Sequence, residues 1–422
     1  MQPTIELVPG KAALPSGVAS SLDILVKITP PAPDIRFVRP HINLGLVLDR
    51  SGSMAGGKKI AFAKQAAIFA VSALLPDDRV SVTIFDDQVE TIVANTLASD
   101  KPAMVRSIEG VQARGATALH AGWKEGADQV ERHQDVGGLN RVILLSDGQA
   151  NEGVTDPNVI SAECRVRAGN GVSTTTMGLG DDYNEDLMQK MAESGDGNYY
   201  FIETPGQLTD IFHTEMKGLM ANIGSKVSLG IEPQSAATVS EVHNDMDRNS
   251  FGRLMLPNLC VGMPIQIVLR LNVPALNGEA EVCRFRLAWD DPKTGDRLSM
   301  YAGLVMPSAP QAEWEAMPAD RLVAEQVAFQ NAAKAKKEAV DAYDRGDYVG
   351  TRQRIQSEIA SLEAHAFGTP QTFQALEAMR EIAADLDKNS PSFRRKTLHQ
   401  SYQTKRGSDG SSGGDSGEVT SE

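Results

Sequence analysis

The chain has 422 residues, 41% hydrophobic and 23% charged, with a formal net charge of −14; that length fits two to three domains, and that charge argues against a nucleic-acid backbone or an anionic membrane surface as main partner. No window holds the ~20 apolar residues of a membrane helix, and the opening MQPTIELVPGK has no basic stretch before an apolar run. Three widely spaced cysteines, Cys164, Cys260 and Cys283, suit neither a disulfide framework nor a zinc site, so a reducing cytoplasm is the expected compartment.

Thr4–Val8 and Ser21–Thr29 read as strands. In the second, Leu22, Ile24, Val26 and Ile28 alternate with Ser21, Asp23, Leu25 and Lys27, the period of a half-buried strand. Residues 1–40 are too short to fold alone and are expected to complete a sheet elsewhere. From Ile42 strands and helices alternate. INLGLVLD reads as a strand buried on both faces. Helix Lys58–Leu75, strands Arg79–Phe85 and Val89–Ala94 and helix Asp100–Glu109 follow. A helix opened by Thr117 runs to Glu131. Then come strand Arg141–Ser146, helix Pro157–Ala168, strand Val172–Gly178, helix Glu185–Glu193, strand Asn198–Ile202 and helix Gly206–Met220. This predicts an α/β domain over 41–222, with a doubly wound, mainly parallel sheet covered by helices on both faces. Sites in such sheets lie beyond the carboxyl ends of the strands.

Residues 223–308 return to β texture. Ile265, Ile267, Leu269, Leu271 and Val273 share one face, and Cys283, Phe285, Leu287 and Trp289 share another. An antiparallel sandwich is expected, completed by the N-terminal strands, so that the α/β domain is an insertion in it. Residues 312–390 predict an antiparallel helical hairpin resembling a single tetratricopeptide unit, which must dock on the β domain or a partner. Residues 391–422 read as a linker. Arg394, Arg395 and Lys396 read as a solvated basic face, and the acidic Gly/Ser-rich tail from Gly407 is expected to be disordered.

The chemistry concentrates in Ile42–Lys59, INLGLVLDRSGSMAGGKK: a strand ending in Asp49, then Ser51 and Ser53 in a small-residue turn before a helix. Gly52–Lys58 fits a phosphate loop, G-x-x-x-x-G-K, which would make the chain a nucleotide binder. The next residue, however, is Lys59, where a Ser or Thr must hold the metal. A serine nucleophile at Ser53 lacks the G-x-S-x-G frame, and none of His41, His120 and His133 is spaced as its base. Taken singly, Ser51 and Ser53 read as turn and cap residues, Thr117 as an N-cap and Asp147 as a turn former. Asp86, Asp87, Asp181 and Asp182 read first as turn and cap residues, and second as a field drawing in a cation. Trp123, Trp289 and Phe329 read as core.

Taken together, Asp49-x-Ser51-x-Ser53, Thr117 in RGATAL and Asp147 in LLSDG, in that order and with helices between, resemble the von Willebrand factor A domain over roughly Ile42 to Asn222. TMGLGDD from Thr176 and GNYYF from Gly197 resemble late strands of its bacterial members, and more distant similarity extends to inter-alpha-trypsin-inhibitor heavy chains. The resemblance implies a metal-ion-dependent adhesion site. Ser51, Ser53 and Thr117 would be direct or switching ligands, Asp49 and Asp147 would bind directly or through water, and a partner's Asp or Glu would take the remaining position. Hard oxygen ligands of this kind suit Mg²⁺, with Mn²⁺ or Ca²⁺ as alternatives. The implied work is protein–protein binding without catalysis; the alternative is a non-catalytic subunit of an AAA+ ATPase machine of the MoxR or chelatase kind.

Overall fold

The computed structural model describes residues 2–31, 39–135, 138–180, 182–364, 370–388 and 393–405. Strands β1 (Thr4–Pro9) and β2 (Ser20–Thr29) pair antiparallel. The chain then enters the α/β domain. Its elements are β3 (Ile42–Asp49), α1 (Lys59–Ala73), β4 (Arg79–Phe85), β5 (Val89–Leu97), α2 (Lys101–Glu109), α3 (Leu119–Glu131), β6 (Leu139–Ser146), α4 (Pro157–Gly169), β7 (Val172–Leu179), α5 (Glu185–Ser194), β8 (Tyr199–Ile202) and α6 (Leu208–Met220). The six strands lie in the order β5-β4-β3-β6-β7-β8, parallel except for the antiparallel edge pair β4–β5.

Every residue of β3 and β6 is buried, as central strands covered on both faces require. On one face α1 contributes Ala63, Ala66, Ala67, Ala70 and Val71 to the core. On the other, α3 contributes Leu119, Trp123, Ala127 and Val130. The neighbours of β3 are β4 and β6, so the winding reverses between β3 and β6. The carboxyl ends of those two strands therefore open a crevice. The opposite end of β3 is pinned by buried Asp78. It accepts hydrogen bonds from the Ile42 amide at 2.9 Å, the Leu75 amide at 2.6 Å and Arg39 Nη1 at 2.9 Å.

After α6 come β9 (Asn222–Pro233), β10 (Thr238–Val242), β11 (Ile265–Val273), β12 (Ala280–Asp290) and β13 (Arg297–Met306). One sheet runs β1-β2-β11-β10; in the other, β12 lies between β9 and β13. β2 pairs with β11 from Ser20 opposite Val273 to Ile28 opposite Ile265. Segments before and after the α/β domain thus share one sheet. Ile24, Val26, Ile28, Ile267, Leu269 and Leu271 pack against Leu229, Phe285 and Leu287 across the sandwich. The alternation read from the sequence creates this apolar layer.

The C-terminal helices are α7 (Arg321–Asp344), α8 (Tyr348–Ala364), α9 (Pro370–Asp387) and α10 (Phe393–Lys405). Val323 of α7 packs with Leu25 and Val268 of the sandwich. The stretch 393–405, expected as linker, is a helix seated on the α/β domain. The Tyr402 hydroxyl donates to the Gly197 carbonyl at 3.0 Å, and its ring meets Tyr199 edge-on. The cluster Arg394–Lys396, expected as a solvated face, is instead a clamp. Arg394 binds Glu185, Asp186 and Asp344, and Lys396 Nζ lies 2.8 Å from Glu203. The physical reason is the acidic first turn of α5, which presents Glu185 and Asp186 to the guanidinium. The acidic tail from Gly407 lies outside the described residues.

Candidate functional site

Asp49 is the last residue of β3 and fully buried. Its Oδ1 accepts a hydrogen bond from the Ser51 amide at 2.7 Å, which turns the chain away from the strand axis. The Met54 amide donates to the Ser51 carbonyl at 3.0 Å, and the buried Met54 side chain anchors the short helical turn Gly52–Lys58. The two serine hydroxyls then face each other, with Ser51 Oγ 3.1 Å from Ser53 Oγ. Ser53 Oγ donates to Asp147 Oδ1 at 2.7 Å, reaching from the β3 tip to the β6 tip.

The loop before α3 is laced to the same turn. The Gly52 amide donates to the Gly115 carbonyl at 3.0 Å, and the Arg114 amide to the Arg50 carbonyl at 2.6 Å. Gly115 has φ +74°, a left-handed backbone that favours glycine. Thr117 follows, held by its amide donating to Asn151 Oδ1 at 3.0 Å and by its carbonyl accepting from the Asn151 amide at 3.2 Å. A Cβ placed on Gly148 would stand 3.0 Å from Thr117 Oγ1 and 3.7 Å from Asp49 Oδ2, so the Thr117 hydroxyl and the Asp49 carboxylate converge there. Asp49, Ser51, Ser53, Thr117 and Asp147 therefore occupy one crevice, drawn from three loops.

Two fully buried carboxylates share this crevice. Burial pushes the Asp49 carboxyl up to about 6. Hydrogen bonds from Ser146 and Ser51 pull it down, and the neighbouring Asp147 charge adds to the rise. Asp147 has a cation of its own: Lys59 Nζ donates to Oδ2 at 2.7 Å, with the lysine side chain only 18% exposed. Next to the crevice, at the tip of β4, lies a third buried carboxylate, Asp86. Arg50 Nε and Arg114 Nε lie 3.0 and 2.7 Å from its Oδ2, and the Gln88 amide donates to Oδ1 at 2.7 Å. Burial alone would raise this carboxyl. The hydrogen bonds from Arg114 and Gln88 and the charge of Arg50 outweigh it and hold Asp86 below the usual range.

Asp86 is the turn residue expected, its Oδ1 taking the Gln88 amide, and it is also a buried ionic hub, while Asp87 and Asp182 are exposed and Asp181 lies outside the described residues. His120 pairs with Glu163, and His41 lies between Asp77 and Asp135. Trp123 and Trp289 are buried as expected.

Sequence reasoning missed Ser146, whose hydroxyl donates to Asp49 Oδ2. A small hydroxyl just before Asp147 was the available signal. It also missed the role of Lys59, which stood only as a residue where a hydroxyl was wanted. Lys58 is exposed at φ 62°, and that left-handed residue turns α1 so that Lys59 faces the crevice.

The donor set is two carboxylates and three hydroxyls, all hard oxygens, which fits a small divalent cation. Among the described residues no group of three or more His, Cys, Asp or Glu side chains is arranged to hold a metal. Residues 43–214 match the sequence model of the von Willebrand factor type A domain.

This chain carries a von Willebrand factor type A domain.

The chain is 27% identical over 194 residues to the uncharacterized protein YfbK of Escherichia coli, covering 46% of this chain and 34% of that one. It is 27% identical over 271 residues to the uncharacterized protein sll0103 of Synechocystis sp., covering 61% of this chain and 63% of that one. It therefore spans less than two thirds of either relative. The solved structure of a von Willebrand factor type A protein from Catenulispora acidiphila aligns over 96% of both chains with a TM-score of 0.71 at 15% identity. The fold is therefore shared across the type A domain, the sandwich and the helices. Among the described residues no helix is long and apolar enough to cross a membrane.

Proposed function

We propose that the type A domain binds a protein partner through a divalent cation, Mg²⁺ by preference, held by Asp49, Ser51, Ser53, Thr117 and Asp147. The carrying observation is the pair of fully buried carboxylates at the switch point, ringed by hydroxyls, with a single lysine contacting Asp147 and hydroxyl and amide donors on Asp49. Burying charge without adequate compensation is costly, and a divalent cation would supply it. When bound, the cation would act as an electrophilic anchor for one further oxygen ligand. A partner's Asp or Glu carboxylate is the ligand that suits it. The chain's own part is to present the oxygens. The Ser51 amide and the Ser146 hydroxyl fix the Asp49 carboxylate, the Asn151 side chain fixes Thr117, and Gly148 leaves the space between them open.

Calorimetric titration of metal-stripped protein is expected to show uptake of Mg²⁺ or Mn²⁺ by wild type and none by Asp49→Ala. A pull-down with and without chelator, run on the same two proteins, should recover a partner only from metal-loaded wild type. Equal recovery under all conditions would sink the proposal. Recovery of an AAA+ ATPase would assign the chain to such a machine rather than to a scaffold.

A further inference from the structure

The crevice holds a charge that the five oxygen ligands do not account for. Lys59 opens α1 and directs Nζ at Asp147 Oδ2, while Ser53 takes Oδ1 of the same carboxylate. The lysine is mostly buried, and its Nζ lies 3.6 Å from where a Cβ on Gly180, just beyond the end of β7, would stand. It is thus enclosed between the tips of β6 and β7 rather than waving over the surface. Arg50 and Arg114, the other nearby cations, are committed to Asp86.

The formal charges follow. Asp49, Asp147 and Lys59 together leave the crevice with one net negative charge. A divalent cation would reverse that to one net positive charge. A neutral sixth ligand, such as a hydroxyl, an amide carbonyl or water, leaves the positive charge in place within a largely buried site. One carboxylate brings the site to neutrality. Without Lys59 the two aspartates would balance the cation by themselves, and an incoming anion would gain much less.

We propose that Lys59 is a resident counter-charge that makes the loaded site select an anionic ligand over a neutral one, at the expense of part of its affinity for the metal. The inference rests on the reading of this crevice as a divalent-cation site. It assigns to Lys59 a specificity role toward carboxylate-bearing partners, acting through the charge of the site and not as a metal ligand.

The test uses the full chain with Mn²⁺ as probe metal, and acetate and acetamide as an anionic and a neutral small ligand of similar shape. Mn²⁺ affinity is read by calorimetry. Ligand access to bound Mn²⁺ is read by the loss of water-proton relaxation on adding acetate or acetamide. Lys59→Met keeps the length and apolar stem without the charge, and Lys59→Arg keeps the charge. Circular dichroism checks that both fold.

Lys59→Met is expected to bind Mn²⁺ about tenfold or more tighter, since the ammonium that contacts the Asp147 carboxylate in a poorly screened site is removed. It should also lose most of the preference for acetate over acetamide. Lys59→Arg should stay near wild type in both. A merely structural lysine would not move metal and carboxylate affinity in opposite directions. Mn²⁺ binding by wild type with Lys59→Met no tighter, or with its acetate preference intact, overturns the proposal while leaving the metal site standing. Uptake by Lys59→Met alone overturns it too, because the lysine would then replace the metal instead of accompanying it. Absence of uptake in all three proteins removes the metal reading and this proposal with it.

Discussion

Three carboxylates at neighbouring strand tips are fully buried, and they meet different fates. Asp86 on β4 is satisfied within the fold by Arg50, Arg114 and a backbone amide, and its carboxyl is held low. Asp49, on the adjacent β3, receives hydroxyl and amide hydrogen bonds but sits beside another carboxylate, and its carboxyl is raised to about 6. Asp147 is met by one lysine and one hydroxyl. None of the three exposes surface to solvent, so lack of exposure alone does not mark the site. The partner charges differ: two guanidinium groups meet Asp86, one ammonium meets Asp147, and hydroxyl and amide donors meet Asp49, which on the proposal above leaves Asp49 to a cation from outside.

Exchanging the two aspartates tests that contrast most severely. Asp86→Ala leaves Arg50, whose side chain is 8% exposed, with the exposed Glu90 as its one acidic partner among the described residues. Breaking a buried pair in this way costs about 3–5 kcal/mol, read as a lower denaturant midpoint. Asp49→Ala should leave the metal-free protein as stable as wild type or more so, while abolishing metal uptake. If Asp49→Ala were the more destabilising of the two in the absence of metal, the distinction between structural and poised carboxylates would fail.

Acidification separates the two next. Asp49 has a folded value raised above the unfolded ~3.9. Its contribution to stability is therefore fully present below that value and lost as pH rises through about 6. Metal-free protein should gain about 2 kcal/mol between pH 7 and pH 4 from this group alone. Asp86, depressed, contributes above the unfolded value and loses its contribution only as pH falls through its lower folded value, so it is silent in that window. Metal uptake must displace the Asp49 proton, so affinity should fall about tenfold per pH unit below 6 and level off above it. A pH-independent metal affinity between 4.5 and 7 would contradict this.

Ser146→Ala carries a smaller effect. It removes the hydroxyl that orients Asp49 Oδ2 and helps hold its carboxyl down. Loss of such a supporting contact typically costs about 10-fold or somewhat more in metal affinity, and the pH midpoint of uptake should move upward. A Ser146→Thr variant that restores both would show that the hydroxyl, not the volume, is responsible.

The contrast between these strand tips was only half legible in the sequence. The strands and helices could be read because β3 and β6 are unbroken apolar runs and the sandwich strands alternate strictly. The five oxygen side chains could be picked out together by their resemblance to the type A domain, each alone reading as a turn or cap residue, and the structure brings them into one crevice. The partner charges could not. Arg50 and Arg114 are 64 residues apart and both converge on Asp86 from loops whose course is set by backbone bonds such as Arg114 to Arg50, which leave no periodic trace. Lys58 and Lys59 are indistinguishable by type, yet after the non-helical backbone at Gly56, Gly57 and Lys58 one is exposed and the other reaches Asp147. The clamp at Arg394 was hidden likewise: its acidic counterpart at Glu185 lies 209 residues earlier in the chain.

The mildest test is Arg114→Ala, and its value lies in being mild. Arg114 touches Asp86 Oδ2 at 2.7 Å, but its side chain is 57% exposed. Water can replace much of what it supplies. Asp86 would keep Arg50 at 3.0 Å and the Gln88 amide at 2.7 Å, so it should remain ionised and the denaturation midpoint should shift little. The backbone bond from the Arg114 amide to the Arg50 carbonyl survives the substitution, so the loop carrying Thr117 should keep its course. Metal affinity should therefore be unchanged within error. Should Arg114→Ala weaken metal binding as strongly as Ser146→Ala, the Asp86 hub and the Asp49 crevice would form one coupled electrostatic unit. The division between a carboxylate neutralised by the fold and one awaiting its cation would then have to be redrawn around Arg50, the residue that links the two along the chain.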